Sequence, residues 1–128
     1  MLSADSNLVR VNGDAMKDMI CIAYLTGAVG QSIGMFYFGK GVIAGVDVGG
    51  INYDGNLTEH TDGSLNGLVK FKVPAGAQLI TGMTAGSHGQ EVVAELNLPN
   101  GFAESQIVVR IDTPAGPVAA RFEKLREV

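Results

Sequence analysis

The chain has 128 residues, a size that fits one domain built around one hydrophobic core. Apolar residues make up 46% of the chain and charged residues 17%, a composition that excludes a disordered protein. The 9 Lys and Arg against 13 Asp and Glu give a net charge of -4, and because the cations are scattered we expect no nucleic-acid partner.

The N-terminal residues are polar and lack the basic-then-apolar order of a secretory signal. We therefore expect a lead over residues 1–17, a single domain over residues 18–128, and a cytoplasmic protein. The uncharged stretch from Met19 to Gly39 is long enough to cross a membrane as a helix. Glycines such as Gly27 and Gly30 interrupt it, which favours two strands joined by a turn and no membrane partner.

Beyond this hairpin, apolar residues recur at every second position, which is the period of a half-buried β-strand. Val69, Phe71 and Val73 share one face, for example, while Lys70 and Lys72 take the other. Similar alternating runs lie on both sides of this segment, at Val42–Val48, Val92–Leu98, Ile107–Ile111 and Val118–Phe122. Counting the candidates gives about eight or nine strands with short connections, typical of an antiparallel barrel or sandwich.

Turn signals separate these runs. Glycine after Asp, His or Asn supplies the positive φ of a tight turn, and this pattern occurs at Asp54-Gly55, Asp62-Gly63, His88-Gly89 and Asn100-Gly101. Asn66-Gly67 lies inside an alternating run, so we expect a bulge there. Gln78 to Thr84 has the composition of one short helical turn. Because consecutive strands follow one another and closure removes exposed edges, we favour an all-β, eight-stranded antiparallel up-and-down barrel.

The first two strands are apolar on both faces. A barrel of this size has one interior, so the second face needs a cover. The simplest cover is a second copy of the chain, and we predict a homodimer seam at Ile20, Ile22, Tyr24, Phe36 and Phe38. The N-terminal segment folding back over this face is the alternative.

Candidates for catalysis or metal binding are few. His60 and His88 fall in predicted loops, and they form no metal-binding spacing with the single cysteine, Cys21. We therefore predict no catalytic residue, metal or cofactor, and we do not expect an enzyme. Cys21 stands in an apolar run, which indicates a buried and inert thiol.

Two polar features remain as candidate binding residues. Asp47 interrupts the run Val46-Asp47-Val48, so it either faces solvent or lies with Tyr53 at the barrel mouth, where it would meet a ligand or a partner. The most polar loop contains Glu59, His60, Thr61 and Asp62. This loop is either a solvated turn or a recognition site, because loops on a rigid scaffold carry function.

The order of landmarks in the centre of the chain is distinctive: Gly34, Gly39-Lys40-Gly41, Ile43-Ala44-Gly45-Val46-Asp47, Tyr53-Asp54-Gly55-Asn56-Leu57 and Val73-Pro74. It resembles the family of the negative regulator of type III secretion in attaching-and-effacing enteric bacteria and its uncharacterised bacterial relatives. The resemblance implies a lipocalin-like barrel that dimerises and binds a transcriptional activator protein.

In that regulator a wholly acidic four-residue loop is implicated in partner contact. The matching positions here are Glu59, His60, Thr61 and Asp62, of which the first and last are acidic. The resemblance thus implies a non-catalytic regulator that binds a protein partner through this loop. The alternative is a small apolar ligand inside the barrel, since eight-stranded barrels can enclose one.

Overall fold

A computed structural model describes residues 18–128, so the predicted N-terminal lead over residues 1–17 lies outside the described residues. The described part of the chain holds no helix and forms eight strands. These are β1 (Met19–Thr26), β2 (Gln31–Gly39), β3 (Val42–Asp47), β4 (Asn52–Glu59), β5 (Leu65–Val73), β6 (Gln90–Leu98), β7 (Val108–Thr113) and β8 (Gly116–Glu127).

All eight strands belong to one sheet in the order β6-β5-β4-β3-β2-β1-β8-β7, and every hydrogen-bonded pair is antiparallel. Because β1 pairs with both β2 and β8, the sheet curls round until β6 and β7 face each other across its one open seam. The predicted up-and-down barrel is confirmed.

The alternation of apolar and polar residues correctly predicts which side chains of β5 and the later strands are buried. Along β5 the buried side chains are Leu65, Val69, Phe71 and Val73, whereas Lys70 and Lys72 point outward. The other strands repeat this pattern and bury further interior residues, among them Val92, Ala94, Leu96, Leu98, Val109, Ile111, Val118, Ala120 and Phe122. These side chains meet in one hydrophobic core inside the barrel.

Three of the four predicted glycine turns are confirmed, since Gly63, Gly89 and Gly101 have φ angles of 87°, 78° and 75°. Asp54-Gly55 is not a turn but lies within β4, where Gly55 pairs with both neighbouring strands. The expected helical turn at Gln78–Thr84 is also wrong. Gln78 and Thr84 form an isolated antiparallel bridge, because the chain doubles back on itself there.

The bulge expected at Asn66-Gly67 does not form, because both residues keep an unbroken register with β4 and β6. Gly67 is required for a different reason, since a Cβ there would overlap the carbonyl oxygen of Asn56 on the neighbouring strand. The register shift in this sheet lies instead between β1 and β8, next to Ile20 and Cys21.

The predicted seam is partly wrong. Cys21 faces Phe36 in the register of β1 and β2, and antiparallel partners share a face of the sheet. Cys21 is fully buried, so Phe36 and Phe38 lie inside the barrel, with exposed fractions of 4% and 0%. The partners of Ile20 and Ile22 on the outer face are Tyr37 and Met35, and Tyr24 lies opposite Ile33.

The barrel has two different ends. We call the end with the β1–β2, β3–β4, β5–β6 and β7–β8 connections the upper end, and the opposite end the lower end. At the lower end the β6–β7 connection inserts Phe102 between Phe38 and Phe122, with ring centroids 5.1 and 5.4 Å away. This half of the interior is therefore filled. Residues 18–128 include no helix long and apolar enough to cross a membrane.

Candidate ligand-binding cavity

The upper half of the barrel contains a partly open cavity of about 240 Å³. Its strand walls are mostly apolar and include Leu25, Ile43, Val69, Ala94, Leu96, Ile111 and Val118. Engineered apolar cavities of about 150 Å³ accept benzene, and typical ligand pockets begin at about 300 Å³. The cavity therefore has room for a molecule somewhat larger than one aromatic ring.

Aromatic rings form the floor of this cavity. The Tyr53 ring lies between Phe36 and Phe71, with centroid distances of 4.9 Å to each. Phe122 stands beside Phe36 at 6.1 Å and continues into the lower aromatic cluster. Because these rings pack against one another at tilted or edge-to-face angles, the floor is rigid and apolar.

The roof of the cavity comes from the long β5–β6 connection, which contributes Gln78, Leu79, Ile80 and Thr81. The Ile80 carbonyl oxygen accepts a hydrogen bond of 2.9 Å from the backbone N–H of Val29 in the β1–β2 turn. We call residues 78–84 the roof loop. It is held in place by this hydrogen bond and by its own isolated bridge.

Asp47 and Tyr53 lie together at the upper end and line the cavity. The Tyr53 hydroxyl donates a hydrogen bond of 2.7 Å to Asp47 Oδ2, and the backbone N–H groups of Gly49 and Ile51 donate to Oδ1 at 2.9 and 3.1 Å. The carboxylate is therefore satisfied by groups of its own chain and closes the β3–β4 connection.

Burial decides between the two predictions for Asp47. The exposed fraction is 7% for Asp47 but 48% for Val46 and 78% for Val48, so the outward-facing alternative is wrong. Burial, together with the hydrogen bond to the Asp47 carboxylate, raises the pKa of Tyr53 well above its ordinary range. The phenol thus stays protonated and keeps donating to Asp47.

Two hydroxyl groups of the lining lack partners. Ser32 Oγ and Thr81 Oγ1 are buried, and neither has a hydrogen-bond partner among residues 18–128. Neither residue belongs to a sequence pattern that predicts a binding site. Ser32 interrupts an apolar strand, and this is only a weak indication that a polar group faces the interior. Thr81 reaches the cavity only because the roof loop folds over the upper end.

The predicted binding loop lies at the lower end, because β4 begins beside Asp47 and Tyr53 and ends at Glu59. The six residue steps from Tyr53 to Glu59 span about 20 Å along the strand. The loop and the cavity are therefore separate sites at opposite ends of the barrel.

The lower loop is an ordered turn. The backbone N–H of His60 donates to the Ser64 carbonyl oxygen at 2.9 Å, and His60 Nε2 is hydrogen bonded to Asn66 Oδ1 at 2.6 Å. Asp62 Oδ1 accepts from the Ser64 hydroxyl at 2.6 Å and from the Ser64 backbone N–H at 2.9 Å. These two bonds hold the pKa of Asp62 below its usual range.

Two shallow surface depressions flank this turn. Glu59 borders one of about 200 Å³, and His60 and Asp62 border another of about 450 Å³. The turn, with Thr61 exposed at its tip, therefore stands between two concave surfaces at the lower end.

The single thiol of the chain is buried and held protonated. Cys21 is fully buried, as predicted, and burial raises its pKa to about 11. No group of three His, Cys, Asp or Glu side chains suited to a metal ion occurs within the described range, residues 18–128.

Comparison with known proteins found no matching family model, and no curated protein or solved structure similar to this chain. The structural class of this protein is therefore defined by its fold and its cavity alone. The protein is an eight-stranded antiparallel barrel with a filled lower half and an apolar space under a roof loop at its upper end.

Proposed function

We propose that this protein binds a small, mostly apolar molecule inside the barrel. The observation that carries the proposal is the cavity of about 240 Å³, walled by apolar strand residues and floored by aromatic rings. A chain that packs Phe38, Phe102 and Phe122 into the lower half leaves the upper half open. Moving apolar ligand surface from water into such a site contributes about 25 cal/mol per Å².

The role is binding rather than catalysis. Asp47 is the one formally charged residue among the described residues that line the cavity, and donors of its own chain take three of the roughly four acceptor positions of its carboxylate. A general base must accept a proton from the substrate, and here the donors of the chain compete for the same carboxylate. The geometry around Asp47 supports a structural use of this carboxylate.

Naphthalene fluorescence tests the proposal directly, because its two fused rings match the size of the cavity. The chain has no Trp, and its three Tyr emit at shorter wavelengths than naphthalene, so naphthalene emission can be followed apart from protein emission. We expect saturable binding with one molecule per chain and a rise in the thermal midpoint that grows with ligand concentration.

A cavity-filling variant supplies the control. Ala94 is buried and lines the cavity, so Ala94→Leu places three further carbon atoms in that space. Val93→Leu changes the neighbouring outward position of the same strand. We expect Ala94→Leu to lose naphthalene binding and Val93→Leu to keep it, both with the circular dichroism of the wild type. Binding that survives in a well-folded Ala94→Leu protein would place the ligand elsewhere.

A second candidate function is regulation through a protein partner at the lower end, as the resemblance implies. The position of the Glu59–Asp62 turn between two surface depressions favours it. In this hypothesis the partner contacts the turn while the cavity at the other end stays accessible.

A charge-neutralising pair tests this second function. Glu59→Gln with Asp62→Asn removes two charges but keeps side-chain oxygens that accept hydrogen bonds, including the one that Ser64 needs. Asp54→Asn with Glu95→Gln makes the same change in charge on the exposed outer wall. A regulatory partner retained by the immobilised wild type should be lost by the first pair and kept by the second. Equal retention by both pairs would argue against the turn as the contact.

A further inference from the structure

We infer that the cavity selects a neutral molecule with one hydrogen-bonding group, such as an alcohol, over the carboxylate of similar size. This selectivity rests on the proposed ligand binding and names the chemical class of the ligand. It is carried by two observations on the lining: its charge and its two unpartnered hydroxyls.

The charge of the lining disfavours an anion. Among the described lining residues Asp47 alone carries a formal charge, and that charge is negative. Lys70 and Lys72 lie on the outer face of β5, and Arg121 lies on the outer face of β8. Lys124, further along β8, lies at the lower end and borders a surface depression there, not the cavity. A bound carboxylate would therefore lose its hydration without gaining a counter-charge.

The unpartnered hydroxyls indicate what a ligand would supply. A buried hydroxyl without a partner is unfavourable, so most such groups in folded proteins are hydrogen bonded. Ser32 Oγ and Thr81 Oγ1 are both buried without a partner among residues 18–128, and both residues line the cavity. A rotation about χ1 would turn either hydroxyl toward a ligand, where it can donate and accept.

The positions of these two residues give the ligand an orientation. Ser32 stands near the start of β2 and Thr81 in the roof loop, so both belong to the upper end, whereas the floor is aromatic. A ligand with an apolar body and one neutral polar group would place its body on the floor. Its polar group would then lie beneath the roof loop.

Three probes of similar size test the selectivity: naphthalene, naphthol and naphthoate. Any apolar site prefers naphthol to naphthoate, and we expect that preference to be at least about tenfold in the wild type. The decisive comparison is therefore between naphthol and naphthalene in Ser32→Ala with Thr81→Val. This double variant removes both hydroxyls and nearly preserves side-chain volume. Ser87→Ala, at an exposed position of the same connection, is the matched control.

We expect the double variant to bind naphthol about threefold to tenfold more weakly and naphthalene as the wild type does. Ser87→Ala should leave both affinities unchanged. If the double variant keeps its naphthol affinity, or if naphthoate binds the wild type as tightly as naphthol, the selectivity is overturned while ligand binding stands. If none of the three probes binds the wild type, the proposed function fails and the selectivity fails with it.

Discussion

The Tyr53 hydroxyl donates a hydrogen bond of 2.7 Å in the interior of the barrel to Oδ2 of Asp47, which lies six residues earlier in the chain. This bond joins the start of β4 to the end of β3 across the upper end. It explains why an acidic residue interrupts an apolar run, because the buried carboxylate holds the β3–β4 connection through Tyr53, Gly49 and Ile51.

Tyr53→Phe should therefore destabilise the protein. The change leaves one oxygen of a buried carboxylate without its donor, and we expect the free energy of unfolding to fall by about 1–3 kcal/mol. Urea unfolding at neutral pH measures the loss.

Tyr37→Phe is a matched control for this loss. The Tyr37 hydroxyl also donates to a carboxylate at 2.7 Å, that of Asp18, but this bond lies on the outer face, where water can replace it. We therefore expect Tyr37→Phe to lose clearly less stability than Tyr53→Phe. Equal losses in the free energy of unfolding of the two variants would show that burial does not strengthen the hydrogen bond between Tyr53 and Asp47.

The buried Cys21 predicts a loss of stability at alkaline pH. Its pKa is raised from 9.0 to about 11 by burial, so the folded protein holds this proton more tightly than the unfolded chain does. The stabilisation is complete below pH 9 and is lost as the pH rises through about 11. The loss attributable to this group is about 2–3 kcal/mol.

Cys21→Ala isolates that contribution. The variant should be less stable than the wild type at pH 8, but its free energy of unfolding should fall less steeply above pH 9. Tyr53, whose pKa is also raised, remains in both proteins, so the comparison cancels its effect. Parallel pH profiles for the two proteins would contradict the assignment to Cys21.

The barrel itself is predictable from the sequence because strand side chains alternate with a period of two. Along β5 and β6 one face is apolar and the other polar, so the pattern fixes which side is buried. In β1 and β2 both faces are apolar, so the alternation does not indicate which face points inward. The predicted outward orientation of Phe36 is therefore wrong, and its register opposite Cys21 shows which face points inward.

Two glycines that follow Asp or Asn lie within strands rather than in the predicted turn or bulge. Gly55 follows Asp54 and Gly67 follows Asn66, a sequence context typical of turns. Each glycine nevertheless lies within a strand, where a Cβ would overlap a carbonyl oxygen of the adjacent strand. The cavity was equally hidden, because its roof depends on contacts between the β5–β6 connection and the β1–β2 turn, such as Val29 with Ile80. No local pattern records a contact between such distant positions.

The same contact between connections predicts a variant that opens the roof. A Cβ on Gly27 would lie 2.5 Å from the Ile80 carbonyl oxygen, too close for the roof loop to keep its position. Gly27→Ala should displace the loop, so that bound naphthalene dissociates about tenfold faster while the barrel remains folded. Stopped-flow fluorescence measures this rate.

Gly30→Ala is the control in the same turn. A Cβ on Gly30 would meet the Ile80 side chain at 3.7 Å, an ordinary contact distance. We expect the dissociation rate of this variant to match that of the wild type. If Gly27→Ala also leaves the rate unchanged, the roof loop does not control access to the cavity.

The outer face of β1, β2 and β3 predicts a homodimer with a seam different from the one the sequence suggested. Met35 on β2 pairs with Ile22 on one side and Val46 on the other, and the exposed fractions of Met35 and Val46 are 52% and 48%. An apolar surface that extends across three neighbouring strands is typical of a protein interface. Tyr24 stands at its border, where the Arg121 guanidinium covers its ring at 4.3 Å.

Met35→Lys should therefore convert the dimer to a monomer, because it would place two buried ammonium groups at a symmetric seam. Leu68→Lys makes the same exchange at an exposed position on the outer face of β5 and should leave the dimer intact. Sedimentation velocity across a range of protein concentrations separates the two species. A wild type that sediments as a monomer would rule out the seam, and a Met35→Lys protein that remains dimeric would move it to another face.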